Sequence, residues 1–431
     1  MPSLRRNIVY QFLYELLIVF IPLFTIPYVS RVLGAENIGL FSYTYAVANY
    51  FVLFANLGIK NYGSRTIAMV RNNKEELNRN FSEILSIHII FSIIVIFVYL
   101  VLLFFFVEDN LVIFLIQSIY VFAAVFDINW FFFGIEKFKL TVGRNTLVKI
   151  LSVFLVLVFV KTQTDLWIYA LILALSVFVG QSVVWFALKQ YVSWRRPSWA
   201  NMKQHIRPLF VLFLPILALS LYKYMDKIML GSISSNVQVG FYENAEKIIN
   251  VPMSLIMAFG VVLMPRIANM VTSKDKGEVF KLIDMSMEAV MLLAIAISFG
   301  LAGISFVLAP IFFGYEFEEC GILIMGLAVT VPFMAFANVI RTQYLIPYKE
   351  DKIFVVSLFL GAAVNLIVNI ILIPYMAARG AVIGTIFAEI IVCIYQSYFV
   401  RKKIFIKKYL LNTIPPILIG IVMFVFVFQI G

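Results

Sequence analysis

The chain has only two cysteines and two histidines among its 431 residues, and charged residues make up 13% of it. Cys320 and Cys393 fall in or beside apolar runs, so we expect no disulfide framework. His88 and His205 are isolated, which leaves no His/Cys cluster for a zinc site. A phosphate-binding P-loop is also missing, which argues against ATP hydrolysis by this chain. These absences argue against the common metal-dependent and ATP-dependent enzyme classes.

Apolar residues are abundant instead. They make up 63% of the chain, and its mean hydropathy is +0.99, whereas soluble domains are roughly 45–50% apolar. The sequence therefore predicts an all-α polytopic membrane protein. Runs of roughly 20 apolar residues are long enough to cross a bilayer. Thirteen such runs are found, at about 8–30, 38–59, 82–107, 111–133, 145–160, 166–188, 208–231, 241–264, 283–307, 321–340, 353–374, 380–400 and 409–430.

The basic residues indicate an orientation. With the N-terminus inside, 27 of the 34 Lys and Arg residues lie in inner loops and four lie within spans. The outer loops hold only three, namely Arg31, Lys161 and Arg379. This bias predicts a cytoplasmic N-terminus. The net charge of +11 then reflects topology and contact with anionic lipid rather than nucleic-acid binding. All loops are short, so a soluble catalytic domain has no place in the chain.

A short motif occurs twice. Arg31–Gly34 is followed by Ile38–Phe41, and Lys227–Gly231 is followed by Val239–Tyr242. In both copies a cation precedes Leu-Gly at the end of a span, and the next span opens with an aliphatic residue, Gly and another apolar residue. Both copies follow an even number of spans, which indicates a parallel repeat. The predicted domains are an N-terminal six-helix half at 1–200, a C-terminal six-helix half at 201–405 and an additional helix at 406–431.

Two longer stretches carry a family resemblance. Residues 26–68 read IPYVSRVLGAENIGLFSYTYAVANYFVLFANLGIKNYGSRTIA, and residues 225–268 read MDKIMLGSISSNVQVGFYENAEKIINVPMSLIMAFGVVLMPRIA. They resemble the starts of the two halves of Wzx-type polysaccharide flippases, which belong to the multidrug/oligosaccharidyl-lipid/polysaccharide exporter superfamily. The resemblance implies two six-helix bundles in a V with a central cavity. It also implies export of a polyprenyl-diphosphate-linked sugar unit across the bacterial inner membrane. Members usually have 12 or 14 spans, whereas 13 are predicted for this chain.

An anionic diphosphate substrate would require cations inside the membrane region. The candidate substrate-binding residues are Arg31, Lys149, Lys223, Lys227 and Lys247. Arg31 and Lys227 occupy matching positions in the two repeats and are expected to converge on one diphosphate, with Asp226 as the carboxylate that the phosphates replace. A local ion pair remains the alternative for Lys223 and Lys227 with Asp226, and for Lys247 with Glu243 four residues earlier. The alternative interpretation of Lys149 is that its side chain extends to the inner face of the membrane.

Carboxylates within apolar runs are candidate sites for a coupling ion, H+ or Na+. They are Glu15, Asp127, Asp226 and Glu389, with Glu288 also in an apolar run and Glu15 as the first choice. No other cofactor is expected. Asn365 and Asn369 are predicted to form hydrogen bonds between helices. Tyrosines such as Tyr242 are interpreted mainly as parts of interfacial belts.

Two other functions stay open. A cation-coupled multidrug exporter of the same superfamily would favour acids over cations in its cavity, and the five candidate cations favour an anionic substrate instead. A membrane polymerase or ligase acting on lipid-linked sugars would be expected to carry catalytic residues in a large outer loop, which this chain lacks. The expected partners are the lipid-linked sugar, membrane lipids, and a polysaccharide polymerase with its assembly proteins.

Overall fold

The computed structural model describes residues 2–272 and 276–430, without the side chains of 2–22, 138, 139, 222, 272, 276 and 430. All helices of this described part are joined by short turns and loops, and it contains no strand. The helices are α1 (Pro2–Asn56), α2 (Ile59–Val70), α3 (Lys74–Phe106), α4 (Leu111–Val125), α5 (Asn129–Gly134), α6 (Phe138–Phe159), α7 (Leu166–Leu188), α8 (Trp199–Ile233), α9 (Asn236–Thr272), α10 (Lys276–Phe313), α11 (Cys320–Ala328), α12 (Thr330–Ile340), α13 (Asp351–Met376), α14 (Ala378–Val400) and α15 (Ile406–Ile430). A π-helical turn, Arg341–Leu345, follows α12.

Within the described residues, twelve helical stretches are long and apolar enough to cross a membrane. The first of them, Leu23–Val70, takes in parts of the first two predicted spans, which are separated by a kink inside α1. Gly34 interrupts α1 with φ 76° and ψ 172°, a backbone conformation that suits glycine. The other predicted spans each coincide with one of the remaining stretches. The prediction of an all-α multi-pass membrane protein is therefore confirmed.

The chain forms two compact units. The first unit comprises Met1–Leu33 and Phe41–Ser220, and the second comprises Gly34–Leu40 and Leu221–Gly431. Helix α8 contributes to both, because the division falls between Ser220 and Leu221. The domain limits given from the sequence stay a prediction.

The first unit has an aromatic core formed by α2, α3 and α5. Phe81 stacks on Trp130 with ring centroids 5.5 Å apart, and Phe131 meets Phe81 edge to face at 4.9 Å. Gly63 lies directly under the Trp130 ring, where a Cβ atom would collide with it. Buried aromatic pairs of this kind stabilise the fold by more than the burial of their apolar surface alone. This core fixes the positions of α3 and of the turn between α4 and α5.

In the second unit, α13 and α14 pack closely because α14 carries two glycines at their contact. A Cβ at Gly380 would collide with the backbone of Leu372, and one at Gly384 would collide with the side chain of Asn369. Small residues let membrane helices approach closely in this way. The close approach brings Asn369 and the polar face of α14 together.

The two glycines of the repeated motif also meet in the second unit. A Cβ on Gly39 would strike the carbonyl oxygen of Asn236, and a Cβ on Gly240 would strike that of Ala35. The backbone of Ala35 donates a hydrogen bond of 2.8 Å to Glu316 Oε1 and secures the same segment. Glycine is therefore required in both copies by close contact between the start of one span and the start of the other.

Gly240→Ala should lower the thermal unfolding midpoint of the purified protein by several degrees. The added methyl group meets backbone rather than a side chain that can move, and overpacking of this kind costs about 1–3 kcal/mol. Gly143→Ala is the matched control, because a Cβ there has no neighbour within 4 Å. It should leave the midpoint unchanged or raise it slightly. Equal midpoints for the two variants would contradict the assigned contact.

Candidate functional site

Two adjacent charged residues of α8, Asp226 and Lys227, lie inside the second unit. Their exposed fractions are 4% and 7%. Consecutive residues of an α-helix point about 100° apart, so the two side chains meet different neighbours. Each takes part in a separate cluster, and a buried charge of either sign requires such partners.

The Lys227 cluster consists of Lys227, Glu243, Glu246 and Lys247. Lys227 Nζ lies 2.5 Å from Glu243 Oε2 and 2.8 Å from Glu246 Oε2. Lys247 Nζ lies 3.1 Å from Glu243 Oε1. The three residues of α9 share one helix face because they are spaced three and four apart. The local pair with Glu243 that was the alternative for Lys247 is present, and Lys227 pairs with α9 rather than with its neighbour Asp226.

The Asp226 cluster consists of Asp226, Tyr242, Asn365, Asn369 and Thr385. Asp226 accepts hydrogen bonds from the Tyr242 hydroxyl at 2.6 Å, from Thr385 Oγ1 at 3.0 Å and from Asn369 Nδ2 at 2.5 Å. These donors come from α9, α14 and α13. The predicted hydrogen bond between helices is thereby confirmed for Asn369. Within the described part of the chain, Asp226 forms no ion pair, so neutral donors alone stabilise this carboxylate.

One acceptor in the Asp226 cluster has no donor. Asn369 Nδ2 also lies 3.2 Å from Asn365 Oδ1, whereas Asn369 Oδ1 is buried without a hydrogen-bond partner. A buried acceptor left unpaired costs about 1–3 kcal/mol. Together with the carboxylate and the hydroxyl groups, it gives this cluster the oxygen ligands that hard cations take.

The two clusters together carry excess negative charge. Asp226, Glu243 and Glu246 contribute three carboxylates, against the ammonium groups of Lys227 and Lys247. Unbalanced charge is costly in the low-dielectric interior of a membrane protein. This region therefore favours the uptake of one cation when all five groups are ionised.

Two further predicted residues lie in the second unit but outside these clusters. Lys223 is exposed, with its ammonium 5.4 Å from the ring centroid of Tyr224. Glu389 is buried on α14, four residues after Thr385, and interacts electrostatically with Arg341. The structure therefore gathers Asp226, Lys227 and Lys247 and leaves Lys223 at the surface of the unit.

The remaining predicted residues belong to the first unit. Arg31 is exposed, Lys149 is half-buried, and both have interaction partners. Asp127 is half-buried, and its Oδ1 accepts a 3.0 Å hydrogen bond from the backbone of Asn129. The side chain of Glu15 lies outside the described residues, so its coupling role stays a prediction. The substrate-binding and coupling roles given from the sequence also stay predictions.

Sequence reasoning missed three members of the clusters. Glu246 follows Glu243 by three residues, and this spacing could have indicated a two-carboxylate face opposite a lysine. Tyr242 was interpreted as part of an interfacial belt, which is wrong for this residue, because it is 2% exposed and donates to Asp226. Thr385 gave no signal, since its role depends on how α14 packs against α8.

Comparison with known proteins identifies relatives over nearly the whole chain. A protein of Shigella dysenteriae named as an O-antigen transporter is 24% identical over 408 residues, covering 91% of this chain and 99% of the relative. A protein of Escherichia coli strain K12 with the same name is 26% identical over 408 residues, covering 93% and 97%. The structure of the lipid II flippase MurJ in an inward closed conformation has a TM-score of 0.75 at 15% identity, covering 98% of this chain and 97% of that one.

The structural likeness shows that the chain shares the fold of that protein. The sequence also matches a family profile. The profile described as polysaccharide biosynthesis protein matches residues 4–271. This match covers more than half of the chain and confirms the resemblance carried by residues 26–68 and 225–268. The chain therefore belongs to the polysaccharide biosynthesis protein family.

Proposed function

We propose that this protein is a membrane transporter that flips a polyprenyl-diphosphate-linked oligosaccharide from the inner to the outer leaflet by alternating access. The cargo is the repeat unit of an O-antigen, capsule or exopolysaccharide. The observation that carries the proposal is the match to two proteins named as O-antigen transporters over more than nine-tenths of this chain. The chain acts as a transporter rather than an enzyme.

The proposed location is the bacterial inner membrane, with the N-terminus in the cytoplasm. The support is the distribution of Lys and Arg, 27 in the inner loops against three in the outer loops. The positive-inside rule makes such a distribution unfavourable in the reverse orientation. The proposed partners are membrane lipids and a polysaccharide polymerase with its assembly proteins.

Reporter fusions check this orientation. A reporter fused after Asn236 should be active on the external side, and one fused after Ser273 should be active in the cytoplasm. Asn236 is the first residue of α9 and lies three residues after the end of α8. Ser273 comes directly after α9 in the sequence and lies outside the described residues. The opposite activity at either position would contradict the map of the spans.

The proposed contact with the diphosphate is Lys227 supported by Lys247. Lys227 has two carboxylate partners, and its contact with Glu246 is the longer of the two. An arriving phosphate oxygen replaces Glu246 at Lys227 and keeps the ammonium paired. This assigns the exchangeable carboxylate to Glu246 rather than to Asp226. Charge-assisted contacts of this kind are the strong ones in recognition of phosphate. Arg31, Lys149 and Lys223 stay proposed substrate contacts.

The proposed coupling residue is Asp226, which takes up H+ or Na+ during the transport cycle. The support is its burial among hydroxyl and amide groups, without a cationic partner among the described residues. Asp226 and Lys227 are adjacent, so neutralising Asp226 changes the field at the ammonium that holds the phosphate. Glu15, Asp127 and Glu389 stay alternative coupling positions.

A second candidate function is a cation-coupled multidrug exporter. The observation in its favour is the excess of carboxylates over ammonium groups in the two clusters, because such an excess attracts cationic drugs. Expression in a strain that lacks its drug exporters distinguishes the two functions. A drug exporter raises the tolerated concentration of cationic dyes, whereas an oligosaccharide flippase leaves it unchanged.

Complementation tests the proposed function. The gene is expressed in bacterial strains that lack their own O-antigen or capsule flippase but retain the other assembly enzymes. We expect surface polysaccharide to be restored in at least one strain whose repeat unit the protein accepts. Membrane insertion without restoration in any strain of a broad panel would contradict the proposal.

A further inference from the structure

An apolar cavity of about 510 Å³ lies in the second unit, between α15 and the helices α10, α11, α12 and α14. Two hydroxyl residues, Ser298 and Thr413, lie in its wall, and the other described residues around it are apolar. Ser298 Oγ donates to the carbonyl oxygen of Ala328 at 2.7 Å. Thr413 Oγ1 donates to that of Leu410 at 2.7 Å. A hydroxyl has one hydrogen to donate, so the cavity presents an essentially apolar wall to a ligand.

The cavity is accessible from the side of the unit. Val329 and Leu410 line it, and they are 46% and 57% exposed. Both belong to stretches that are long and apolar enough to cross a membrane. The opening therefore lies at the depth of the hydrocarbon, where the accessible ligands are apolar chains.

A smaller cavity of about 310 Å³ adjoins the first and shares Met291 and Thr413 with it. Its wall includes Glu288, Tyr409 and Asn412. Asn412 Nδ2 donates to Glu288 Oε1 at 2.9 Å. These polar residues lie toward the N-terminal ends of α10 and α15, which are the inner ends in the orientation proposed above. The two cavities, together called the α15 cavity, are therefore polar at the inner end and apolar beyond it.

The apolar part is about as long as one leaflet of a bilayer. Its wall on α10 runs from Met291 to Ala302, which is about 16 Å along the helix axis at 1.5 Å per residue. The hydrocarbon core of a bilayer is about 30 Å thick, so one leaflet contributes about 15 Å. This length fits one acyl chain of a phospholipid that extends from the inner surface toward the midplane.

The start of α15 is strongly basic. Five exposed cations lie there, namely Arg401, Lys402, Lys403, Lys407 and Lys408. Lys408 Nζ lies 2.8 Å from Asp284 Oδ2 on α10, which holds the beginning of α15 against that helix. The cations outnumber the two carboxylates at this end, Asp284 and Glu288. Basic clusters of this size beside the cytoplasmic end of a membrane helix attract anionic lipids.

We propose that the α15 cavity binds one anionic phospholipid of the inner leaflet. One acyl chain occupies the apolar part, and the phosphate lies among the basic residues at the start of α15. Protein interiors have few voids larger than a water molecule, and dispersion contacts with the chain complete the packing of α15 on its unit. The site is separate from the Asp226 and Lys227 clusters and does not depend on the transported substrate.

Native mass spectrometry of the full chain in detergent counts the lipids that stay bound. The purified protein is incubated with equal amounts of phosphatidylglycerol and phosphatidylcholine that carry the same acyl chains. We expect one phosphatidylglycerol per chain, in clear excess over phosphatidylcholine. Equal retention of the two lipids would overturn the proposal, and so would displacement of the phospholipid by an equal amount of added polyprenyl diphosphate.

The variant Ala302→Phe tests the apolar part, because the added ring occupies the space of the acyl chain. Loss of the chain's many dispersion contacts should lower phosphatidylglycerol retention by about tenfold. Ala296→Phe is the matched control, since Ala296 lies on an exposed face of the same helix, and it should retain the lipid normally. Equal retention by the two variants would contradict the assigned position of the chain.

The double variant Lys403→Gln, Lys407→Gln tests the basic end and leaves the pair of Lys408 with Asp284 in place. Removing two cations near a lipid phosphate should weaken phosphatidylglycerol binding by about tenfold or more. Lys349→Gln, Lys352→Gln is the matched control, because it removes the same charge from exposed positions elsewhere in the same unit. Equal losses in the two double variants would contradict a headgroup site at α15.

A natural cysteine locates the lipid without any substitution, so the proposal stays testable if Ala302→Phe does not fold. Cys393 lies in the wall of the cavity, whereas Cys320 is 0% exposed. Saturating phosphatidylglycerol should slow the reaction of Cys393 with benzyl methanethiosulfonate, as measured by peptide mass spectrometry. Phosphatidylcholine at the same concentration should slow it less. An unchanged rate at Cys393 with phosphatidylglycerol bound would overturn the proposal.

Discussion

Replacing Lys227 with glutamate should abolish oligosaccharide export. The change removes the ammonium that Glu243 and Glu246 share at 2.5 and 2.8 Å and puts another carboxylate between them. Removing one member of a buried ion pair costs about 3–5 kcal/mol, and the reversed charge also repels the diphosphate. The measurement is surface polysaccharide in a complemented strain, at matched amounts of protein in the membrane.

Lys227→Gln separates recognition from stability. Loss of one charge-assisted contact costs about 1.5–3 kcal/mol, which is about tenfold or more in apparent affinity. The double variant Lys227→Gln, Glu246→Gln removes one charge of each sign, and we expect its thermal unfolding midpoint to return toward that of the unmodified protein. Its export should stay defective. Export at the normal rate by this double variant would show that the Lys227 cluster has a structural role only.

Asp226→Asn should uncouple transport from its driving ion. Asparagine keeps an oxygen acceptor near Tyr242 and Thr385 but removes the buried negative charge, so folding should be retained. Without that charge the site should no longer take up H+ or Na+, and export should fall at least tenfold. The measurement is transport by reconstituted protein under an imposed proton or sodium gradient. The ion whose gradient accelerates the unmodified protein, but not the variant, is the coupling ion.

Glu319→Gln is the matched control for Asp226→Asn. Glu319 belongs to the same unit and pairs with Arg379 at 3.0 Å, but both side chains are about half exposed. Exposed pairs of this kind contribute only about 0–1 kcal/mol, so the control should transport normally and keep its ion dependence. Equal behaviour of the two variants would remove Asp226 from the coupling mechanism.

The fold was predictable because the bilayer imposes simple requirements on the sequence. Each span needs about 20 apolar residues, and runs of that length can be read directly from the sequence. Gly39 and Gly240 of the repeated motif each face a neighbouring backbone, a contact that the motif itself did not indicate. The break expected between the first two spans is present as a kink inside α1 at Gly34, whose φ of 76° and ψ of 172° are not helical.

The partners within the candidate site were harder to predict, because they depend on packing between helices. Asp226 and Lys227 are adjacent in sequence and were expected to interact with each other, but helix geometry directs them to different neighbours. The partners of Asp226 include Asn369 and Thr385, more than 140 residues away. The periodicity of a single helix does not indicate which distant side chains its residues will contact. Only the local pair of Lys247 with Glu243 follows from spacing alone.

The central claim, that this protein moves a lipid-linked oligosaccharide across a membrane, is tested most directly in liposomes. The purified protein is reconstituted with a polyprenyl-diphosphate-linked oligosaccharide, and a membrane-impermeant glycosidase added outside measures how much of the sugar becomes accessible with time. Accessibility should approach completion in liposomes with the unmodified protein. It should stop near the fraction first present in the outer leaflet in protein-free liposomes and in those with the Lys227→Glu variant. The same plateau in all three preparations, with folded protein, an accepted repeat unit and the coupling gradient imposed, would contradict the claim.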